Sequence, residues 1–357
     1  MPPPESPIEV GIVILVTRPE TLSCCLARLI RQTYDHTKFE IILIMSEGTK
    51  ITFPETDIKI TNVLENNLHL SVRRNKGVQR AHAKFIAFID DDAIPPANWI
   101  EEAIKNISKY QCAGVSGPLW HFDETASLPY QLAGAAIDSF FLEGFEEGTA
   151  ESQKVRFYNI PLCNCIIKKS LWDAVGGFNE KMYHYMDDIE FFYIAWRLGF
   201  SFYVIPALGV THRVEPFPAG FLRKKIVTRF HAGINTVLFH EIFMEIPFIK
   251  LAFVLYGVII GICLLYRHIE VSLYILISLY LLISFISASK FLKKYPRIFL
   301  LLPMTFGATH VANFLSFTGG IFFALGFRKR FQPVIANKLE RFKNAGINLK
   351  CGINNTG

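Results

Sequence analysis

Three successive carboxylates follow a short apolar segment in the first half of the chain. Residues 85–89 read Phe-Ile-Ala-Phe-Ile, a pattern typical of a buried β-strand, and Asp90, Asp91 and Asp92 come directly after them. Carboxylates this close repel one another unless a cation holds them. The triplet therefore indicates an oxygen-rich site for Mg²⁺ or Mn²⁺ that also holds a phosphorylated ligand. Taken alone, it is equally consistent with a solvated acidic turn before a helix that begins near Ala97.

Strands and helices alternate around this triplet. Strands are expected at 8–16, 39–45 and near 57–63, and helices follow the first strand and occupy about 71–83. This alternation predicts an α/β fold with a mostly parallel, Rossmann-like sheet and right-handed crossovers. Ligands bind such sheets at the carboxyl ends of the strands, where the three aspartates lie. No G-x-G-x-x-G motif follows the first strand, so dinucleotide binding is not expected.

The second half of the same domain is less regular. Segment 120–158 is acidic and interrupted by glycines, and we expect a loop-rich region that either shapes an acceptor cleft or is a plain solvated loop. Beyond it, an aromatic helix ends at Arg197-Leu198-Gly199, where Gly199 is a natural C-cap. The remaining predicted elements are a helix at 97–109, strands at 112–117, within 163–169 and at 202–205, and a closing loop at 209–213.

Charge and cysteine content limit the cellular setting. The formal net charge of +6 is too small to indicate nucleic-acid binding, and the basic residues cluster beside apolar segments, which suits an anionic membrane surface. The seven cysteines have no metal-ligand or disulfide spacing, so packing is the expected role of Cys24, Cys25, Cys163 and Cys165. The N-terminus lacks the basic and apolar regions of a signal peptide, and the first domain is therefore expected in the reducing cytoplasm.

The last third of the chain is largely apolar. Hydrophobic residues make up 51% of the sequence, and the mean hydropathy is +0.30. Residues 248–266 and 271–289 are almost uncharged and close to the ~20 residues that cross a bilayer. A third apolar stretch, 298–326, contains Pro303 and Gly307. The chain is therefore expected to be an integral membrane protein with two transmembrane helices and a third stretch that either crosses or forms a broken, re-entrant hairpin.

The basic flanks of these stretches leave the topology open. Basic residues precede 248–266 and follow 271–289, which places both flanks in the cytoplasm by the positive-inside rule. Arg328-Lys329-Arg330, after the third stretch, also has a cytoplasmic composition. One crossing cannot have both of its ends on the same side of the membrane. Three crossings are slightly favoured, by analogy with the family named below.

A basic amphipathic helix is expected between the two domains. Leu222, Ile226, Phe230, Ile234 and Leu238 repeat at four-residue spacing, and the neighbouring basic residues lie off this stripe. Such a helix either lies in the membrane interface or packs on the first domain. The predicted division of the chain is a first domain at 1–215, the amphipathic linker at 216–245, membrane helices at 246–326 and a basic tail at 327–357.

The order of motifs in residues 8–215 resembles that of the inverting family 2 glycosyltransferases, which have the GT-A fold. The matching segments are Val16-Thr17-Arg18, Arg74-Asn75-Lys76-Gly77 for Arg-Asn-x-Gly, Asp90-Asp91-Asp92 for Asp-x-Asp, Gly176-Gly177-Phe178-Asn179-Glu180, and Asp187-Asp188 for the usual Glu-Asp. Segment 40–49 resembles the second strand of the family. It ends in Ser46-Glu47-Gly48-Thr49, where the family usually has two aspartates, Gly and Ser.

The resemblance implies a nucleotide-sugar site. Asp90 and Asp92 would hold the donor diphosphate through Mn²⁺ or Mg²⁺, one near the ribose and one on the metal, with Asp91 beside them. Many relatives place a metal- or phosphate-contacting histidine where His212 stands, although a purely structural histidine is the alternative. The residues implied to line the nucleotide are Thr17, Arg18, Ser46, Glu47, Arg74 and Asn75. The departure at Glu47 leaves open whether the base is uracil or guanine. Arg74 would pair with the acidic cluster or the phosphates, or be an ordinary surface arginine.

The acidic pair implies the reaction. An inverting transfer needs one base to deprotonate the acceptor hydroxyl, and the resemblance assigns that role to Asp188 with Asp187 as its neighbour. The alternative is that both only cap a helix N-terminus. The implied function is sugar transfer from a nucleotide donor to a lipid-linked, polyprenyl-type saccharide at the cytoplasmic face of the cell membrane, in glycan or polysaccharide assembly. The competing functions are a polyprenyl-phosphate glycosyltransferase and an inactive membrane adaptor.

Overall fold

The computed structural model describes residues 8–51, 55–139, 151–182, 186–243 and 269–347. These residues form two compact units. The described parts of the first unit are residues 8–51, 55–120, 151–182, 186–213 and 332–347. Those of the second unit are residues 121–139, 214–243 and 269–331.

The elements are numbered in chain order. The strands are β1 (Val10–Leu15), β2 (Phe39–Met45), β3 (Lys59–Leu64), β4 (Phe85–Ile89), β5 (Ala93–Ile94), β6 (Gly114–Ser116), β7 (Leu119–Trp120), β8 (Gln153–Val155), β9 (Asn164–Lys168), β10 (Phe202–Val204) and β11 (Val210–His212). The helices are α1 (Pro19–Leu29), α2 (Leu70–Arg80), α3 (Trp99–Lys109), α4 (Leu128–Ile137), α5 (Lys169–Val175), α6 (Asp187–Arg197), α7 (Ala219–Leu238), α8 (His240–Phe243), α9 (Ile269–Ala288), α10 (Pro296–Gly326) and α11 (Gln332–Asn344).

The main sheet of the first unit is mostly parallel, as predicted. Its order within the described residues is β3-β2-β1-β4-β9-β6-β10-β8. The four strands β1 to β4 are parallel, and their register pairs Val10 with both Phe39 and Phe85. β1 and β2 are buried along nearly their whole length, which explains their mostly apolar sequences. β9 runs antiparallel between β4 and β6, and β8 is antiparallel at the edge.

Helices cover the sheet through the apolar positions expected from the sequence. Leu22, Leu26 and Leu29 of α1 are fully buried in the main core. Helix α2 approaches β1 so closely that a Cβ atom at Gly77 would lie 2.4 Å from a Val13 methyl carbon. Because any larger residue would have to displace Val13 or the helix, Gly77 allows α2 to lie this close to the sheet.

A small second sheet positions the end of the domain. Its order is β5-β11-β7, and the register pairs His212 with Ala93, the residue after Asp92. The predicted loop at 209–213 is therefore wrong, since residues 210–212 form β11. Strands this short are held by their neighbours and leave little periodic signal in the sequence.

The second unit is helical. Helix α4 corrects part of the predicted loop-rich segment 120–158, and residues 140–150 of that segment lie outside the described residues. Among the described residues, one helix, α10, is long and apolar enough to cross a bilayer. It runs without a break through Pro303, so the alternative of a broken, re-entrant hairpin around 303–307 is not present. The predicted span 248–266 lies outside the described residues, and 271–289 corresponds largely to α9.

The buried face of α7 differs from the predicted stripe. Ile226 is 45% exposed, whereas Lys225 is buried, with its ammonium group 5.4 Å from the centre of the Phe221 ring. The aliphatic stem of a lysine can cover apolar surface, which a pattern of apolar letters does not reveal. Farther along, α7 and α10 touch through glycines: a Cβ atom at Gly233 or Gly320 would lie about 2 Å from a backbone oxygen of the other helix.

The segment predicted as a basic tail begins with a short 3-10 turn at Arg328–Phe331, followed by helix α11. Helix α11 belongs to the first unit. Phe342 is buried there and its ring lies edge-on to Tyr193 of α6. The described chain therefore ends packed on the domain in which it began.

Candidate active site

Asp91, the middle of the three aspartates after β4, has different partners from the other two. Asp91 is buried, and its carboxylate accepts hydrogen bonds from the backbone amides of Thr17 at 2.5 Å and Arg18 at 2.6 Å. The Thr17 hydroxyl donates to the same oxygen at 3.1 Å. Asp91 therefore joins the carboxyl end of β1 to that of β4. Burial raises the pKa of Asp91, although these amide hydrogen bonds oppose the shift.

Asp90 and Asp92 converge on His212. The Nε2 atom of His212 lies 3.4 Å from Oδ2 of Asp90 and 3.3 Å from Oδ1 of Asp92. The Asp90 side chain is 45% exposed, whereas that of Asp92 is 2% exposed and also pairs with the guanidinium of Arg18. The pairing of β5 with β11 brings these residues together, because His212 stands beside Ala93 in the register.

This donor set fits a divalent cation. Two carboxylates and one imidazole offer the oxygen and nitrogen ligands that Mn²⁺ and Mg²⁺ accept. Cys163 is also present: ligand atoms of Asp90, Cys163 and His212 all lie within 4.8 Å of one another. Burial raises the pKa of the Cys163 thiol well above its ordinary value, so the thiol is neutral. The sequence predicted only packing for this cysteine.

The second acidic pair opens helix α6. Nη1 of Arg74 donates to both carboxylate oxygens of Asp187, at 2.9 and 2.7 Å, and the Ser71 hydroxyl donates to it at 3.1 Å. Met186, immediately before the pair, has a φ of 67°, a left-handed conformation that is unfavourable for a methionine. The ion pair and the Ser71 hydrogen bond therefore hold the start of α6 in one orientation, against the energetic cost of the backbone conformation at Met186.

Asp188 differs electrostatically from its neighbour. Burial and then the negative charge of Asp187 raise the pKa of Asp188 to about 6, and Arg74 opposes this shift. Burial also lowers the pKa of Arg74, but the charges of Asp187, Asp188 and Asp90 outweigh it and leave the pKa above its ordinary value. A carboxylate with a pKa near 6 is ionised at neutral pH and can accept a proton more readily than an exposed aspartate.

Asn75, next to Arg74, fastens α2 to the segment Gly176–Glu180. Its side chain accepts from the Phe178 amide at 2.8 Å and donates to the Phe178 carbonyl at 2.9 Å and to Glu180 at 2.8 Å. Gly177 has a φ of 75°, and a Cβ atom there would lie 2.8 Å from the Asn75 side-chain oxygen. The glycine is thus required by both its conformation and this contact.

The residues expected around the nucleotide lie at the same edge of the sheet. Thr17 and Arg18 follow β1, and Ser46 and Glu47 follow β2. The Glu47 amide donates to the side chain of Asn66 at 2.8 Å, and Asn66 donates back to the Glu47 carboxylate at 3.2 Å. The parallel sheet therefore brings the predicted residues of β1, β2 and β4 to one edge, while their binding roles stay predictions.

Two groups of supporting residues were not predicted. Arg73 is 3% exposed and donates to the carbonyl oxygens of Val16 and Ile44, at the carboxyl ends of β1 and β2. Glu190 is fully buried in α6, where it accepts from Asn179 at 3.0 Å and from Arg341 of α11 at 3.0 Å. The position of Arg73 directly before the motif residue Arg74 was a usable signal in the sequence. The sequence contained no signal for the pairing of residues 190 and 341, because these residues are far apart in the chain.

Residues 12–174 match the family described as Glycosyl transferase family 2. The chain carries a family 2 glycosyltransferase domain. It is 25% identical over 246 residues to "Hyaluronan synthase" of Pasteurella multocida, covering 58% of this chain and 25% of that protein. It is 26% identical over 174 residues to "Glycosyltransferase AglE" of Haloferax volcanii, covering 47% of this chain and 50% of that protein. The chain thus spans a quarter to a half of the length of these relatives.

A solved structure has a similar fold. The mannosyltransferase PcManGT of Pyrobaculum calidifontis, solved in complex with GDP-Man and Mn²⁺, superposes with a TM-score of 0.51 at 13% identity. The match covers 87% of this chain and 89% of that chain. At this identity the likeness concerns the fold alone. The expected GT-A fold of the domain is confirmed by the family match and by the mostly parallel sheet.

Proposed function

We propose that this family 2 domain catalyses inverting sugar transfer from a nucleotide-diphosphate donor to a hydroxyl of a lipid-linked saccharide at the cytoplasmic face of the cell membrane. One observation carries the proposal: Asp187 is fixed by Arg74 and Ser71, while Asp188 beside it has a pKa of about 6. Two adjacent carboxylates with different environments can divide their roles, one as a structural anchor and one as a base. The family domain supplies the expectation of a nucleotide-sugar donor.

The donor side of the reaction rests on Asp90, Asp92 and His212. These side chains would hold a divalent cation, Mn²⁺ or Mg²⁺, which when bound neutralises the diphosphate leaving group. Arg18, which pairs with Asp92, would turn to the donor phosphates once a cation takes over that carboxylate. Thr17, Ser46 and Glu47, at the ends of β1 and β2, would contact the nucleotide.

The acceptor side rests on Asp188. Its carboxylate would take the proton of the acceptor hydroxyl as the hydroxyl oxygen attacks the anomeric carbon from the face opposite the diphosphate. The bond from that carbon to the diphosphate oxygen breaks, and the electron pair leaves with the nucleoside diphosphate. Configuration at the anomeric carbon is inverted because attack and departure occur on opposite faces.

A lipid-linked acceptor is supported by the apolar character of the second unit. The described residues include one helix able to span a bilayer, and basic residues cluster beside the apolar segments. A protein held at a membrane meets acceptors that are confined there at high local concentration. The polyprenyl-type carrier, glycan assembly and cytoplasmic orientation are part of the same proposal.

The test measures nucleoside diphosphate release by the full chain in detergent. Nucleotide sugars are supplied one at a time with Mn²⁺ or Mg²⁺, with and without a lipid extract. We expect turnover that needs both cation and lipid and that falls about 10²–10⁴-fold in Asp188→Asn, because a general base contributes that much. Asp173→Asn is the control, since its side chain is 54% exposed and pairs with Lys169.

The other outcomes identify the competing functions. Turnover that survives Asp188→Asn would favour a phosphate acceptor such as a polyprenyl phosphate, which is already ionised and needs little deprotonation. Direct binding of Mn²⁺, followed by electron paramagnetic resonance, should weaken in Asp92→Asn and His212→Ala. If no donor is bound or turned over in the presence of either cation, the inactive adaptor replaces the proposal.

A further inference from the structure

Helix α10 has two opposite apolar faces. One face is buried in the second unit and includes Ile298, Leu302, Phe306, Gly320 and Ala324. The other face is exposed and equally apolar: Leu300 is 62% exposed, Met304 72%, Val311 59%, Leu315 63% and Phe322 69%. Because each residue turns an α-helix by roughly 100°, these exposed residues form one narrow stripe along the helix. An apolar surface of this length is covered in the working protein.

The charges around this exposed stripe suit an anionic lipid surface. Lys293 and Arg297 are exposed at the start of α10, and Arg328, Lys329 and Arg330 are exposed just after its end. The sequence contains neither Asp nor Glu from residue 271 to residue 339. Basic residues beside an apolar face attract anionic headgroups while the face enters the lipid. This complementarity favours a bilayer as the partner of the stripe.

A short segment of chain connects the C-terminal end of α10 to the first unit. Gln332, six residues after Gly326, begins helix α11, which belongs to that unit. Within the unit, α11 is held by Arg341 on Glu190 at 3.0 Å and by Asn337 on Asn179 at 2.7 Å. Six residues span at most about 21 Å, which is less than the ~30 Å hydrocarbon core of a bilayer. This end of α10 therefore lies on the same side of a membrane as the first unit.

Contacts just before α10 place its N-terminal end on the same side of the membrane. Just before the helix, Lys294 pairs with Glu124 at 2.6 Å, and Lys290 donates to the Asp138 carbonyl at 2.8 Å. Glu124 follows Trp120, the last residue of β7 in the first unit, by four residues. That length of chain spans at most about 14 Å and cannot cross the hydrocarbon core.

We infer that α10 lies in the plane of the membrane interface, with its exposed stripe in the headgroup–acyl boundary of an anionic leaflet, and does not cross the bilayer. The inference rests on the membrane location in the proposed function. Any crossings between residues 213 and 332 then occur in pairs, and the apolar stretches 248–266 and 271–289 make one such pair by sequence. A helix in the plane also explains the basic residues at both ends of α10, which one crossing cannot.

The first test measures the depth of the exposed stripe. A genetically encoded fluorescent amino acid replaces Leu300, Val311 or Phe322, one at a time, in the full chain reconstituted in phosphatidylcholine–phosphatidylglycerol vesicles. Lipids brominated at different points along the acyl chain quench its emission. We expect equal quenching at the three positions, strongest with bromine near the headgroup. The same fluorophore at Leu68, which is 74% exposed in the first unit, is the unquenched control.

The second test measures on which side each end of α10 lies. The fluorophore replaces Lys293, Arg330 or Leu68, and a membrane-impermeant quencher is added outside the vesicles. We expect the same quenched fraction at all three positions, because Leu68 reports the share of molecules whose first unit faces outward. Three results would overturn the inference. In the first test these are a depth of Val311 greater than that of Leu300 and Phe322, or no quenching by any brominated lipid. In the second test it is a high quenched fraction at one of Lys293 and Arg330 and a low one at the other. Neither readout needs sugar transfer, so loss of this inference and loss of the proposed function are recognised separately.

Discussion

Arg341, in the last helix of the described chain, donates a hydrogen bond at 3.0 Å to Glu190, which is fully buried in the helix that carries Asp187 and Asp188. The same guanidinium also contacts the carbonyl of Gly177. Asn179 also donates a hydrogen bond to Glu190. Asn179 lies in the segment Gly176–Glu180, which Asn75 fastens to α2. The C-terminal helix is thus connected to the base candidate through one buried ion pair.

Replacing Arg341 by alanine should destabilise the first unit strongly. Removal of one partner from a buried ion pair leaves the other charge uncompensated, at a cost of about 3–5 kcal/mol. We expect a lower melting temperature, and we expect Glu190→Gln in the same chain to recover part of the loss, because glutamine is neutral and still accepts from Asn179. An unchanged melting temperature in the single variant would show that the pair contributes nothing.

The loss of stability in Arg341→Ala should also depend on pH. Burial raises the pKa of Glu190, and the charge of Arg341 opposes that shift. Without Arg341 the pKa of Glu190 rises further, so the carboxyl takes up a proton at a higher pH and no longer carries a buried charge. The difference in melting temperature between wild type and Arg341→Ala should therefore be smaller at pH 5 than at pH 8. A difference that grows toward pH 5 would contradict this account.

Asp188→Asn should stabilise the protein while removing its activity. The pKa of Asp188 is raised from 3.8 to about 6, so the fold disfavours the charged carboxylate, and this cost is present above pH 6 and absent below the unfolded value near 4. Asparagine removes the cost, for a gain on the order of 1–3 kcal/mol at pH 8. Chemical denaturation at pH 8 and pH 4 tests this, since most of the gain should be lost at pH 4. Equal gains at both pH values would mean that the charge is not the cause.

The parts predicted from the sequence are those with a long local signal. Strands β1, β2 and β4 are mostly apolar segments buried within the sheet, and their carboxyl ends meet at one edge because the strands are parallel. The placement of Asp90 and Arg18 at this edge therefore followed from the strand pattern. The antiparallel direction of β9 did not, because a buried apolar run has the same composition in either direction.

What could not be predicted depends on contacts between distant residues. β11 consists of three residues held between two-residue strands, and this pairing puts His212 beside the aspartates. The ion pair of Arg74 with Asp187 joins residues more than a hundred positions apart. Lys225 was expected off the apolar stripe of its helix but is buried. In each case the position of the side chain depends on residues that are near it in the fold but far from it in the sequence.

Arg74→Gln should shift the pH dependence of sugar transfer. Arg74 lowers the pKa of Asp188, and its removal also leaves Asp187 with a less compensated charge, which raises the pKa of Asp188 further. Since the base must be ionised, the acidic limb of the rate profile should move to higher pH, and kcat should fall more at pH 6.5 than at pH 8.5. Lys76→Gln is the control, because Lys76 lies on the same helix and pairs with Glu65 instead. Equal losses at both pH values would assign Arg74 a purely structural role.

Two glycines of helix α10 should respond oppositely to alanine. A Cβ atom at Gly320 would lie 2.0 Å from the Phe230 carbonyl oxygen of α7, so alanine there forces the two helices apart, at a typical cost of about 1–3 kcal/mol. At Gly307 the nearest atom, the Tyr280 hydroxyl oxygen, is 4.0 Å away, so alanine fits and should stabilise the helix by up to about 1 kcal/mol. Melting temperatures of the two variants in detergent, beside wild type, check both directions. If Gly320→Ala melts no lower than Gly307→Ala, the close contact between α7 and α10 does not exist in the working protein, and the second unit is packed in some other way.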